Sequence, residues 1–182
     1  MQLIGLPPKT LQHTDIARRI PHQGVMCLLE RVTAWDKSQI FCEAISHSAS
    51  DNPLRAHGRL GAACGIEYAA QAMAVHGALV AEAGAASGIV GQAPKMGYLV
   101  SVRGVTLYVE RLDDLGGALA VHAERVTGDD ASILYSFTVH AETLLLLSGR
   151  AVVLLDAGGA GMAARTTACS GSAADNSIPK AP

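Results

Sequence analysis

Glu67 is a carboxylate set among Ile66, Ala69, Ala70, Met73 and Ala74, one turn into a segment that is otherwise small and aliphatic. Burial there would withhold hydration from the ionised form, raise its pKa and leave an acid able to donate a proton near neutral pH. The plainer role is a first-turn glutamate that favours the helix dipole and reaches solvent. Gln71 stands at i+4, on the same helical face and within hydrogen-bonding reach. His57 lies in the loop Asn52-Pro53-Leu54-Arg55-Ala56-His57-Gly58-Arg59-Leu60-Gly61 that leads into the same helix. A histidine there could swing over the helix start as a base, or sit exposed beside Arg55 and Arg59. His22, in Ile20-Pro21-His22, precedes the first strand. It could line a pocket or hydrogen-bond the backbone where the chain enters the fold, and the structural role is the commoner one for a single histidine. Cys64, one turn before Glu67, reads as a small core filler, and His47, His76, His122 and His140 share no spacing.

The elements that must hold these residues follow from pattern and punctuation. Asp36-Lys37-Ser38 predicts a tight turn between Met26–Val32 and Gln39–Ser46, hence a hairpin. Ala62–Ala83 holds strong helix formers and no proline, with so few polar residues that the helix should be buried on most sides. Gly84, Gly88 and Gly91 mark its exit. After Pro94 the period becomes that of a sheet: Tyr98–Val109 with a bend at Gly104, then alternating runs around Leu119–Glu124 and Ile133–Glu142. Thr127-Gly128-Asp129-Asp130 turns between those two, and Leu144–Leu155 supplies a last strand, broken near Gly149. A hairpin, one greasy helix and then three or four antiparallel strands predict an α+β hotdog fold, with the sheet curled around one long central helix. An unpaired sheet edge suggests a dimer. The folded domain is expected over residues 1–156, with a disordered Ala/Gly/Ser-rich tail over 157–182.

Of 182 residues, 49% are hydrophobic and 16% charged, enough apolar material for one cored domain. Fourteen basic against sixteen acidic residues leave a net charge of −2 and no basic stripe, which disfavours nucleic-acid binding. No charged n-region with an apolar stretch opens the chain, and Leu144–Leu155 is too short to span a bilayer, so a cytoplasmic protein is expected, neither exported nor membrane-embedded. Four cysteines form no C-x-x-C pair and no metal-ligand spacing, so no metal site is expected.

Two stretches resemble one family. Ile20-Pro21-His22-Gln23-Gly24-Val25-Met26-Cys27-Leu28-Leu29-Glu30-Arg31-Val32 is similar to the opening motif of the 3-hydroxyacyl-acyl-carrier-protein dehydratases. Glu67-Tyr68-Ala69-Ala70-Gln71-Ala72-Met73 resembles their helix motif. The similarity runs from residue 17 to about 155 and is nearest to the small predicted dehydratases of aryl polyene-type clusters.

The resemblance implies a hotdog dimer that removes water from a 3-hydroxyacyl thioester to give the trans-2-enoyl thioester, in fatty acid or polyene biosynthesis. Its substrate would be carried on acyl carrier protein or coenzyme A. By the same resemblance Glu67 protonates the departing hydroxyl and His57 takes the alpha proton. The family's Gly-His-Phe-Pro-Gly loop stands here as Ala56-His57-Gly58-Arg59-Leu60-Gly61, without its proline. The enolate-like transition state needs N–H donors at the helix start, for which Gly61 and Gly65 are the candidates, and His22 and Gln71 would help to bind the substrate. No metal or redox cofactor is required. Arg55, Arg59 and Arg103 are cations available to a carrier's phosphate or acidic surface. Two other readings compete: a non-catalytic partner subunit of a heterodimeric dehydratase, kept open by the altered His57 loop, and a hotdog acyl thioesterase.

Overall fold

The computed structural model describes residues 10–86, 96–129 and 131–156. Strand β1 (Leu11–Gln12) and helix α1 (His13–Ala17) precede β2 (Arg31–Trp35) and β3 (Gln39–Ala44). Helix α2 (Gly65–Ala86) follows, then β4 (Met96–Leu107), β5 (Leu119–Gly128), β6 (Ser132–Ala141) and β7 (Leu144–Asp156). All seven strands join one antiparallel sheet in the order β1-β2-β3-β5-β6-β7-β4. Helix α2 packs against β3, β4, β5 and β6, which is the hotdog arrangement expected from the sequence. Gly88, Gly91, Pro94, Asp130, Cys169 and the tail assigned to 157–182 lie outside the described residues. Among the described residues no helix is long and apolar enough to cross a membrane.

The hairpin turns where the sequence places it. Asp36 Oδ1 accepts the N–H groups of Ser38 (2.6 Å) and Gln39 (3.1 Å), and the Asp36 N–H donates to the Gln39 carbonyl at 3.0 Å. The side chain thus does the work of a backbone turn. Its first strand, however, begins at Arg31 rather than Met26. A 3-10 turn occupies Gly24–Met26, because the polar groups of Met26 and Leu28 bond to a side chain of α2 instead of a strand.

Strand β6 shows the expected alternation, with Ile133, Tyr135, Phe137, Val139 and Ala141 buried toward α2. Strand β4 bends where Gly104 was expected to bend it: its φ is +58° and the register with β7 shifts between Arg103 and Thr106. The break foreseen at Gly149 does not occur, and β7 runs through it. Gly149 pairs with Phe137, and a Cβ there would lie 2.8 Å from Phe137 Cζ. The glycine makes room for a ring and leaves the strand intact.

One expectation needs correcting along α2. Tyr68, Ala69, Gln71, Ala72, Met73, Val75, His76 and Leu79 are buried, but Ile66, Glu67, Ala70, Ala74, Gly77 and Ala78 are only partly covered. The sheet closes over one side of the helix and leaves a strip of mostly small residues open.

Candidate active site

Side chains from the first two turns of α2 reach back to the segment before β2. Gln71 is fully buried. Its Oε1 accepts the Leu28 N–H at 2.9 Å, and its Nε2 donates to the Met26 carbonyl at 2.9 Å and to Glu67 Oε1 at 3.1 Å. With both N–H groups and the oxygen engaged, the amide is held in one orientation and holds Glu67 in turn.

His22 Nε2 lies 3.1 Å from the same Glu67 Oε1, an ion pair whenever the imidazole is protonated. The two side chains are 29% and 32% exposed, so Glu67 sits on the open strip of α2 and not in the enclosed setting the composition suggested. Glu67 Oε2 has no hydrogen bond among the described residues. His22 Nδ1 is buried with no partner among them. Gln23 steadies the approach to His22, its Nε2 donating to the carbonyls of Ala17 (2.7 Å) and Ile20 (3.2 Å).

His57 stands elsewhere. It is exposed at φ +51° in a tight turn that Ala56 and Arg59 close with two backbone hydrogen bonds, and it has no bond to Glu67. Asp113, whose side chain is 2% exposed, anchors that turn. Its Oδ1 accepts from the Leu60 N–H (3.1 Å) and Arg111 Nε (2.9 Å), its Oδ2 from Arg55 and Arg111 (2.7 Å each). The hydrogen bonds from Arg111 above all hold the Asp113 carboxyl far below the usual carboxylate range. Arg55 is therefore committed to the fold and is not free for a carrier.

The two glycines divide. Gly61 is held between Ala62 N–H···O=C Glu110 (3.0 Å) and Leu112 N–H···O=C Leu60 (2.8 Å), and its own N–H is unpartnered among the described residues. The Gly65 N–H already bonds within the preceding 3-10 turn. Gly65 instead lets β7 approach: a Cβ would lie 2.4 Å from Leu147 Cδ2. Cys27 and Cys42 are buried free thiols and Cys64 is half-buried, with burial pushing Cys42 up to about 12 and raising the other two. Among the described residues no cluster of His, Cys, Asp and Glu could hold a metal ion.

Sequence reasoning passed over Tyr68, Ser46 and Asn52. Tyr68 puts a phenol in the buried face of α2, and a buried phenol requires a partner. It finds two: Asn52 Nδ2 at 2.9 Å and Ser46 Oγ at 3.0 Å.

Residues 14–157 match the family of the ApeP dehydratase. The chain belongs to the ApeP-like dehydratase family. Both motifs, Ile20–Val32 and Glu67–Met73, fall inside the matched region. A chain of the dehydratase heterocomplex ApeI:P from Xenorhabdus doucetiae has the same fold, with 21% identity, a TM-score of 0.65, and coverage of 77% of this chain and 90% of that one. A thioesterase family protein from Silicibacter pomeroyi aligns at 14% identity and TM-score 0.56 over 80% of this chain and 99% of its own. Thioesterase HI1161 from Haemophilus influenzae aligns at 12% identity and TM-score 0.55 over 83% and 94%. No curated protein sequence matches the chain. The structural likenesses carry the hotdog fold and no more, so for this ApeP-like chain the chemistry must be argued from Glu67 and its neighbours.

Proposed function

We propose that this ApeP-like chain dehydrates a 3-hydroxyacyl thioester, carried on acyl carrier protein or coenzyme A, to the trans-2-enoyl thioester in polyene or fatty acid biosynthesis. The observation that carries the reading is the division of labour on Glu67. Oε1 is held by Gln71 and faces His22, while Oε2 has no hydrogen bond among the described residues. A proton on Oε2 is thus the one offered to a leaving hydroxyl.

His22 takes the alpha proton in this reading, in preference to His57, because it already stands 3.1 Å from Glu67. The alpha C–H bond breaks with its proton going to His22, the double bond forms, and hydroxide leaves as water with the proton of Glu67. An imidazolium and a carboxylate result side by side, each stabilising the other, and one proton transfer resets the pair. The unpartnered N–H of Gly61 is the donor offered to the thioester oxygen.

A second hotdog subunit would complete the site. Glu67 lies on a helix strip the chain's own sheet does not cover, and edge strand β4 exposes Tyr98, Leu99, Val100 and Leu107. This favours, as the second reading, a chain that is active only within a heterodimer or serves there as the non-catalytic subunit.

The test is hydration of a trans-2-enoyl thioester, followed by ultraviolet absorbance, for the wild type, Glu67→Gln, His22→Gln and His57→Ala. Activity lost in the first two variants and kept in the third is expected. Loss in His57→Ala with His22→Gln active would return the base to His57. A wild type that works only with a second hotdog subunit supports the heterodimer, and thioester hydrolysis without hydration supports a thioesterase.

A further inference from the structure

Leu28 is held at both poles, at its N–H by Gln71 of α2 and at its carbonyl by Ser46. Its N–H goes directly to Gln71 Oε1 at 2.9 Å. Its carbonyl accepts the Ser46 hydroxyl at 2.8 Å, and Ser46 Oγ lies 3.0 Å from the Tyr68 hydroxyl. Because the Ser46 proton is committed to Leu28, Tyr68 must donate to Ser46, and the Tyr68 oxygen then accepts the Asn52 amide at 2.9 Å. Asn52 admits no flip: its other N–H donates to the Ser46 carbonyl at 2.8 Å and its Oδ1 accepts the Leu54 N–H at 2.9 Å. The hydrogen bonds therefore run one way, from Asn52 through Tyr68 and Ser46 to Leu28, with Tyr68 fully buried and Asn52 nearly so. In such a setting each bond polarises the next, and removing one weakens the rest.

We propose that Tyr68 is a positioning residue: through Ser46 it fixes the Leu28 carbonyl, and so the rotation of the His22–Leu28 segment that sets His22 beside Glu67. Gln71 holds the Leu28 N–H and the Met26 carbonyl, on the near side of Leu28, while Ser46 holds the carbonyl in the peptide that follows, so the two consecutive peptides that meet at Leu28 are both fixed. Gln23, next to His22 on the Leu28 side, reaches across it to the carbonyls of Ala17 and Ile20, so the segment is fixed at both of its ends. Tyr68 hydrogen-bonds to neither Glu67 nor His22 but follows Glu67 directly along α2, so Ser46→Ala, which lies outside the helix, separates a route through Leu28 from one through the helix backbone. A misplacement of a reacting group by about an ångström costs up to roughly a hundredfold in rate.

The catalytic half of this inference rests on the Glu67–His22 reading, so the experiment uses two readouts. The full chain, carrying 15N-histidine, is compared as wild type, Tyr68→Phe and Ser46→Ala, with His22→Gln to assign the imidazole signals. Both variants are expected to move the His22 imidazole 15N shifts at fixed pH while leaving those of His122 and His140, on β5 and β6, in place. With a trans-2-enoyl thioester, kcat should fall about tenfold or more with KM within about twofold. Lower thermal stability with His22 signals unchanged in both variants would overturn the proposal, since a merely structural tyrosine gives that result. Should Tyr68→Phe fail to fold, Ser46→Ala breaks the same chain outside the helix and decides alone. A wild type without hydration activity would count against the catalytic reading, whereas the imidazole shifts would still decide whether Tyr68 positions His22.

Discussion

The Gln71 side chain meets the peptide of Leu28, 43 residues earlier, as a neighbouring strand would, accepting its N–H at 2.9 Å while donating to Met26. Gln71→Leu keeps the shape and removes every one of these bonds, stranding one N–H and one carbonyl. Each buried group left unpaired costs about 1–3 kcal/mol, so a loss of roughly 2–4 kcal/mol is expected in urea unfolding. A change under about 0.5 kcal/mol would mean that water replaces the amide.

Gly65 and Leu147 form a second close pair, with no space for a methyl group between them. Gly65→Ala should destabilise by about 1–3 kcal/mol through overpacking. Combining it with Leu147→Ala should recover part of that loss, giving a coupling term in a double-mutant cycle. Strict additivity would show that the helix moves instead of the leucine.

Stability should fall in mild acid because of His76. Its Nε2–H donates to the Asp36 carbonyl at 2.9 Å, so Nδ1 accepts the Tyr135 hydroxyl at 2.9 Å, and burial keeps that phenol a donor by pushing it up to about 12. Burial lowers the His76 pKa below 6.5, with Arg125 adding to the effect and Asp36 opposing it. As pH drops through about 6.5 the unfolded chain binds a proton that the folded chain refuses, so stability decreases, by at most about 1.4 kcal/mol per pH unit for one group. His47, also lowered by burial, adds to the slope. His76→Gln should flatten the curve of urea midpoint against pH between 7 and 5, and an unchanged slope would remove His76 from the account.

Asp113 acts in the same direction at lower pH: its carboxyl is held far below the usual carboxylate range, so it stays ionised across mild acid, and its contribution drains away as pH falls below about 4, where the unfolded chain begins to bind the proton. Asp113→Asn should lower Tm at neutral pH and speed hydrogen exchange over residues 55–60, where Arg55 and Leu60 lose their anchor. Exchange equal to that of the wild type would show that Arg111 and the backbone bridge suffice.

The elements were legible wherever the signal was local. Asp36 bonding its own turn, alternation along β6, and the alanine-rich run of α2 each lie within a few residues of one another. Glu67 and Gln71 are neighbours on one helix, so their bond was legible too. What the local pattern hid was tertiary. Gly149 has the look of a strand breaker until Phe137 is seen to fill its space, and the turn that carries His57 is anchored by Asp113, which comes far later in the chain. His22 and Glu67, far apart in sequence, meet at 3.1 Å. Tyr68 carried a signal, a phenol on a mostly apolar helix, but its partners lie in a segment with no periodicity.

Among the described residues strand β4 pairs with β7 alone, and it exposes apolar side chains. Backbone donors and acceptors on an uncovered edge recruit other strands without regard to which chain they belong to. The yield of usable protein is accordingly a question of concentration: each copy offers its neighbours the same β4 edge, so how much is made at once, more than temperature or buffer, should set how much remains in solution.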